Sequence, residues 1–509
     1  MRKAKKILFH TLILTLTSLI MRTVGVSFHV FISNRIGAGG LGLFGLIMSV
    51  YTFAVTLAIS GIRLTTTKLV AEELAKGQGS TALLAVKRCL LYSLFFGGLA
   101  SIGLILCADW VGTSLLGDAR TIPSLYVLAF SLIPVAMCSV LTGYFLAVRK
   151  AVKSAAAQFL EQLLRIGIVV FGLNFIAPSD IEKSCLLMVF GTSASEVFSF
   201  LLHYCLYRLD RQQIRKDNQK AGTITGRMMR IAIPLAISDY ARSVLSAAEH
   251  LLIPRKLSEH GYSKDAALSQ YGRIHGMALS VLTFPSAFLG AFSSLLMPEI
   301  AESYAKKNMR RIFYIMTRVL KLAFIFAVFV GGVFLFFSKE LSQAIYGSYE
   351  IAPYLCCLSP LLVVIYTDDV VDALLKGLDQ QVSSMRYNLL DSFLGVVLVC
   401  LLIPRFGAGG YIAVIYITEM INGILSMNRL IKVTDFSLNI KDFITKPVLS
   451  ALLAAGLVKL VFFHNAFSVT ILAAMIVLML LFYVLILLVT SCITREDFSF
   501  FATLFRKGK

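Results

Sequence analysis

Two arginines stand where lipid would be expected. Arg22 interrupts the apolar run "LIMRTVGVSFHVFISNRIGAGG" (19–40), and Arg242 lies within "IPLAISDYARSVLSAAEH" (233–250). A guanidinium is planar, permanently charged and shaped to take phosphate oxygens in pairs. At the centre of a bilayer it costs about 2.5–3.5 kcal/mol on insertion scales, so it is kept there where it is paired or faces a polar cavity. Two such side chains suit the capture of an anion. Arg63 and Arg273 also fall in apolar runs but nearer their ends, where they can either snorkel or line the same cavity. Asp239, three residues before Arg242 on the same helical face, can simply neutralise it, and Glu249 follows seven residues later. Arg22 has no acid close by in its own run.

Other charges within apolar runs read differently. Glu161 and Arg165 are four apart, the spacing of a structural pair on a helix. Asp391, Glu196 and Glu419 are interior acids, suited to charge balance or to proton or sodium coupling, and "TDDVVD" (367–372) adds three more aspartates. His29 and His275 are single histidines, expected to pack. No catalytic residue and no metal site is expected.

The elements that must position these residues are membrane helices. Of 509 residues, 58% are apolar and only 15% charged, and the mean hydropathy is +0.81. An ordinary soluble domain carries about 25% charge. Apolar stretches long enough to cross a bilayer fall near 7–33, 41–63, 88–109, 121–148, 154–177, 184–207 and 228–254. Seven more fall near 266–297, 312–337, 349–375, 384–403, 410–431, 447–463 and 467–491. The expected fold is an all-α polytopic membrane protein of about 14 helices. The N-terminal "MRKAKK" and the apolar run after it read as a first membrane helix, since the run is too long for a signal peptide.

The net charge of +20 comes in short clusters between these runs, which argues for loops near anionic headgroups and against nucleic acid. With a cytoplasmic N-terminus, only eight of the 48 basic residues fall outside, and the others fall inside or within spans. That asymmetry places both termini in the cytoplasm. The exception is the outer loop 255–264, with Arg255, Lys256 and Lys264. Nine scattered cysteines with no CxxC pair read as small buried hydrophobes.

The chain repeats itself weakly. "AEELAK" (71–76) returns as "AESYAK" (301–306), and "VKSAAAQFLEQ" (152–162) lies over "VSSMRYNLLDS" (382–392) at the same offset of 230. Gln158 then lies over Asn388 and Glu161 over Asp391. Arg22 and Arg35 lie over Arg242 and Arg255 at an offset of 220. The expected organisation is an N-lobe of six helices (1–207), a basic cytoplasmic linker (208–227), a pseudo-symmetric C-lobe of six (228–432), and two further helices with a cytoplasmic tail (433–509). An even number of helices per copy makes the repeats parallel, a geometry suited to alternating access about a central cavity.

"GLGLFG" (40–45) matches a dinucleotide-binding fingerprint but lacks the preceding strand and following acid that the chemistry needs. A better unit is "RIGAGG" (35–40), which recurs as "RFGAGG" (405–410) in two expected outer loops. Its glycines permit φ > 0 and close helix approach. No Walker A, HExxH or GxSxG sequence occurs.

"FISNRIGAGGLGLFGLIMSVYTFAVTLAISGI" (31–62), "KLVAEELAKG" (68–77) and "LTFPSAFLGAFSSLLMPEIAESYAKKN" (282–308) resemble the stage V sporulation protein B group. That group belongs to the multidrug/oligosaccharidyl-lipid/polysaccharide exporter superfamily, whose members include the lipid II flippase. The resemblance covers nearly the whole chain. It implies a V-shaped pair of six-helix lobes with two extra helices, and a cavity lined by arginines, which Arg22 and Arg242 match by position and Arg63 and Arg273 match less closely. It implies transport of a lipid-linked sugar diphosphate from the inner to the outer leaflet, with a peptidoglycan precursor for spore cortex as the first substrate class. An exopolysaccharide or teichoic-type flippase is the alternative, and a cation-coupled multidrug antiporter a more distant one. Drug exporters of the superfamily tend to carry an acid in the first helix, where this chain has Arg22. A membrane glycosyltransferase would usually show a sizeable loop for its catalytic residues, and a purely structural partner of cell-wall enzymes would leave the arginines unexplained. No cofactor is expected beyond coupling to Na+, H+ or the membrane potential. The expected partners are the lipid-linked sugar diphosphate, membrane lipids and cell-wall synthesis enzymes, with the chain itself a monomer in the bacterial cytoplasmic membrane.

Overall fold

The computed structural model describes residues 2–176, 180–212, 224–434, 441–462 and 468–493, and among them all regular structure is helical. The chain forms two compact units, one of Arg35–Gly272 and one of Met1–Asn34 with Arg273–Lys509. Each is described separately.

The unit Arg35–Gly272 contains the second part of α1 (Arg2–Ile59), then α2 (Ile62–Ala75), α3 (Gly79–Trp110), α4 (Ile122–Ala147), α5 (Ala151–Leu173), α6 (Ile181–Arg211), α7 (Ile224–Glu259) and α8 (Lys264–Tyr271). Its core is built by α2, α3 and α4, with Ile62, Val70, Val86 and Tyr144 among the fully covered side chains; α7 adds Met228 and Ala232. Local sequence starts the helices: Asp180 accepts from Lys183 N at 3.1 Å at the head of α6, and Ser263 from Ala266 N at 3.3 Å at the head of α8. The buried Asp210 carboxylate takes Lys150 Nζ at 2.6 Å, Lys153 Nζ at 2.8 Å and the Tyr144 hydroxyl at 2.9 Å, tying the end of α6 to α4 and α5. Backbones meet closely where glycine allows it. A Cβ added to Gly272 would lie 1.9 Å from Ala38 O, so α1 and the end of α8 touch main chain to main chain.

The other unit holds the first part of α1, then α9 (Ser280–Thr283), α10 (Ser286–Ala305), α11 (Met309–Phe336), α12 (Ser338–Tyr346), α13 (Ala352–Leu358), α14 (Leu362–Gly377), α15 (Gln381–Thr434), α16 (Lys446–Val461) and α17 (Val469–Val489). A π-helical segment, Gly272–Leu279, precedes α9. The last two helices are not loose: Ala454, Val458, Met479 and Tyr483 pack with Val328 and Val333 of α11, and Tyr483 OH donates to Ile325 O at 2.9 Å.

Ten helices among the described residues are long and apolar enough to cross a membrane. Gln381–Thr434 covers two of the expected spans, and Ile20–Ala75 covers 41–63 with the second part of 7–33. The expected spans 228–254 and 266–297 are not among the ten, although α7 covers the first and helical segments cover most of the second. The two "RxGAGG" sequences were expected as outer loops; instead each breaks a helix at one glycine, Gly37 (φ 70°) in α1 and Gly407 (φ 57°) in α15. Both are the third residue of the motif, and a positive φ is what a residue without Cβ adopts freely.

The compact units do not follow the expected boundaries 1–207, 208–227, 228–432 and 433–509. The reason is local packing: α7 buries Met228 and Ala232 among α2–α4, and Arg227 holds Glu72 and Glu73 of α2 at 2.6 and 2.7 Å. Residues 213–223 of the expected linker and 494–509 of the expected tail lie outside the described residues. The cysteines divide: Cys89, Cys185 and Cys492 are buried as expected, whereas Cys107, Cys205, Cys357 and Cys400 are exposed on the protein surface. Mostly apolar helices place such residues on the face left for lipid.

Candidate functional site

Arg242 lies near the middle of the 36-residue α7, and its side chain is exposed on the protein surface. At about 1.5 Å per residue, either end of the helix is some 26 Å away. Asp239 interacts with it electrostatically, as the three-residue spacing predicts. Glu249, half-buried further along α7, interacts with Tyr271. Arg63, in the same unit, begins α2 with its side chain exposed, and its carbonyl lies so close to α4 that a Cβ on Gly143 would approach it to 2.6 Å.

Arg22 sits in the other unit, fifteen residues before the Gly37 break, and is likewise exposed. It lacks an acid in its own helix but not in space: Asp369 and Tyr366 of α14 interact with it electrostatically. Two of the predicted features, the arginine and the "TDDVVD" run, are thereby brought together. Asp369 is shared with the Ser286 side chain. Arg273 lies in the π-helical segment and pairs with Glu350 at 2.8 Å. Arg22 and Arg273 therefore belong to one unit, and Arg63 and Arg242 to the other.

Four of the remaining acids, Glu196, Glu161, Asp368 and Asp391, fall into two polar clusters, while Asp372 pairs with Lys376 at 2.5 Å. In the unit Arg35–Gly272, Glu196 accepts a short hydrogen bond from Tyr51, whose hydroxyl is also 2.6 Å from Ser131 Oγ. Glu161 pairs with Arg165 at 2.8 Å, as expected from the four-residue spacing. Arg165 Nε also reaches Ser195 Oγ at 3.3 Å. In the other unit, Asn422 Nδ2 donates to Asp368 Oδ2 at 2.9 Å and to Asn388 Oδ1 at 3.5 Å. Asp391 acts electrostatically on Asp368. Asp368 Oδ1, Asp391 Oδ1 and Asn422 Oδ1 are buried with no hydrogen-bond partner among the described residues. The repeat mates Glu161 and Asp391 thus differ, one ion-paired and one with an unsatisfied oxygen. Asn422 was not anticipated; a single asparagine in an apolar helix carries no signal until its neighbours are known. Among the described residues no three His, Cys, Asp or Glu side chains gather as metal ligands do.

Chemically, each unit offers one exposed guanidinium at mid-helix for an anion, Arg22 in one and Arg242 in the other, and each also holds half-buried carboxylates.

The chain is 25% identical to stage V sporulation protein B of Bacillus subtilis (strain 168) over 501 residues, covering 96% of each chain. It is 24% identical over 462 residues to the lipid II flippase MurJ of the same organism, covering 84% of this chain and 83% of that one. Among solved structures, the inward closed lipid II flippase MurJ superposes with a TM-score of 0.67 at 13% identity, covering 93% of this chain and 98% of that one. An inward-facing multidrug resistance MATE family transporter gives 0.63 at 16% identity, covering 84% and 99%. These structures share the fold, a helical multi-pass membrane protein, and the relatives named for an activity are flippases and transporters, in agreement with the expectation that the chain is no enzyme. The family model for polysaccharide biosynthesis proteins matches residues 7–288, more than half of the chain. The chain is a member of the polysaccharide biosynthesis protein family.

Proposed function

We propose that this protein flips a lipid-linked oligosaccharide, carried on a polyprenyl diphosphate, from the inner to the outer leaflet of the cytoplasmic membrane. The observation that carries the reading is the position of Arg22 and Arg242. Each is exposed in the central part of a long helix, and a guanidinium at that depth is stable only beside water, counter-charge or an anionic ligand. In this reading fourteen helices form two six-helix lobes plus two C-terminal helices, with both termini cytoplasmic. Arg22 and Arg242 hold the diphosphate, Arg63 and Arg273 flank it, and the polyprenyl chain stays in lipid. Alternating access then moves the headgroup. Asp239 and Asp369 balance the arginines when the cavity is empty. Coupling to protons or sodium would use the unsatisfied oxygens of Asp368, Asp391 and Asn422. A peptidoglycan precursor is the first substrate class, in keeping with the name of one relative, the lipid II flippase MurJ.

The experiment is flipping of a polyprenyl-diphosphate sugar in proteoliposomes, comparing the unaltered protein with Arg22→Ala and Arg242→Ala at matched incorporation. Loss of transport in both folded variants is expected. Normal transport in both would remove the arginines from the mechanism.

A further inference from the structure

The unit Arg35–Gly272 carries a cleft of about 460 Å³ that the transport reading does not use. It lies between the loop joining α3 to α4, the end of α7 and the start of α8. One wall is apolar, formed by Leu43, Leu46, Leu251, Pro254 and Leu268. Its polar lining comprises Asp118, Arg120, Arg255, Lys264 and Asp265, together with Ser114 and Ser258.

The charges in this lining are not equivalent. Arg120 is committed: its Nε bonds Asp118 Oδ1 at 2.9 Å, and its Nη2 lies 2.6 Å from Asp118 Oδ2 and 3.2 Å from Asp265 Oδ1. One arginine thereby occupies both acids. Arg255 has no ion pair among the described residues, and its side chain is exposed. Lys264 is exposed and feels Asp118 only electrostatically. By contrast Arg35, the repeat mate of Arg255, donates to Leu173 O at 3.4 Å. The surplus positive charge at the cleft is therefore Arg255, near the end of α7, with Lys264, the first residue of α8.

We propose that this cleft binds the phosphate group of a lipid. Arg255 and Lys264 take the phosphate oxygens, and the first carbons of the chain lie on the leucine wall. Charge and apolar surface meet within one cleft of ligand size, which suits an amphiphilic anion better than a free ion or a neutral lipid. The inference concerns one unit alone and does not depend on transport.

The test is equilibrium binding to the full-length protein in detergent, followed by native mass spectrometry. The probes are a polyprenyl phosphate, phosphatidylglycerol, inorganic phosphate and the uncharged polyprenol. The double substitution Arg255→Gln and Lys264→Gln should weaken polyprenyl phosphate binding about tenfold or more and leave polyprenol unchanged. Arg255→Glu alone should weaken it as well, and Arg255→Lys should retain most of it. If phosphatidylglycerol weakens in parallel, the ligand is a bilayer phospholipid; if it does not, the ligand is a polyprenyl carrier. Binding unchanged by both the double substitution and Arg255→Glu would overturn the proposal. So would inorganic phosphate binding as tightly as the lipids, since the leucine wall would then contribute nothing.

Discussion

The Arg273 guanidinium stands 2.8 Å from the Glu350 carboxylate, joining the π-helical turn to the start of the α13 segment. Both side chains reach solvent, with 33% and 59% of their surface accessible, so screening keeps the pair weak. Arg273→Gln and Glu350→Gln should each lower stability by about 1 kcal/mol or less, with a coupling no larger in a double-mutant cycle read by thermal unfolding. A loss of transport in Arg273→Gln that Glu350→Gln does not share would assign the arginine to the cargo instead.

Glycines test the close approach of α1 and α8. Gly272→Ala places a Cβ 1.9 Å from Ala38 O, where only the main chain can yield, and should cost about 1–3 kcal/mol. Gly407→Ala forces a side chain into a positive φ and should cost about 1–2 kcal/mol. Gly98→Ala, in open space within α3, should be neutral or stabilising by up to about 1 kcal/mol. The Gly98→Ala midpoint should therefore stand above the other two, and three equal midpoints would contradict the packing described.

Asp210 gathers two lysines and a tyrosine while only 1% exposed. Asp210→Ala leaves the Tyr144 hydroxyl unsatisfied in the core, although Lys150 and Lys153 can turn to water. The expected loss is about 1–3 kcal/mol, with Asp210→Asn recovering part of it. A destabilisation below about 0.5 kcal/mol would show that the cluster does not secure α6 to α4 and α5.

Acid should loosen the α3–α4 loop. Burial alone would raise the Asp118 pKa, but the hydrogen bonds and charge of Arg120, with Lys264 adding, outweigh it and hold the carboxyl below its ordinary value. The resulting stability is present above the unfolded pKa of about 3.9 and is lost as pH falls through the lower folded value. Asp118→Asn should therefore be less stable than the unaltered protein at neutral pH, and the gap should close on acidification. Unfolding midpoints from about pH 7 to pH 3 give the comparison. A gap that widens toward acid would reverse the assignment.

Composition and periodicity determined the class of this protein, because 58% apolar residues in long runs have no soluble arrangement. They also located the helices closely and marked the Glu161–Arg165 ion pair and the electrostatic influence of Arg242 on Asp239, since residues three or four apart on a helix are neighbours whatever the tertiary fold. The glycines of "RIGAGG" and "RFGAGG" announced a special backbone, and the positive φ at Gly37 and Gly407 is what they supplied. Contacts distant in sequence had no such local signal. That Arg22 comes within electrostatic reach of Asp369, that Arg273 pairs with Glu350, and that Asn422 joins Asp368 depended on which helix faces which. The compact units were equally illegible: a repeat records descent along the chain, whereas compactness follows the side chains that α7 buries among α2, α3 and α4. Arg255 and Lys264 stand without an ion pair at the cleft while Arg120, more than a hundred residues from either, pairs with both acids of its lining.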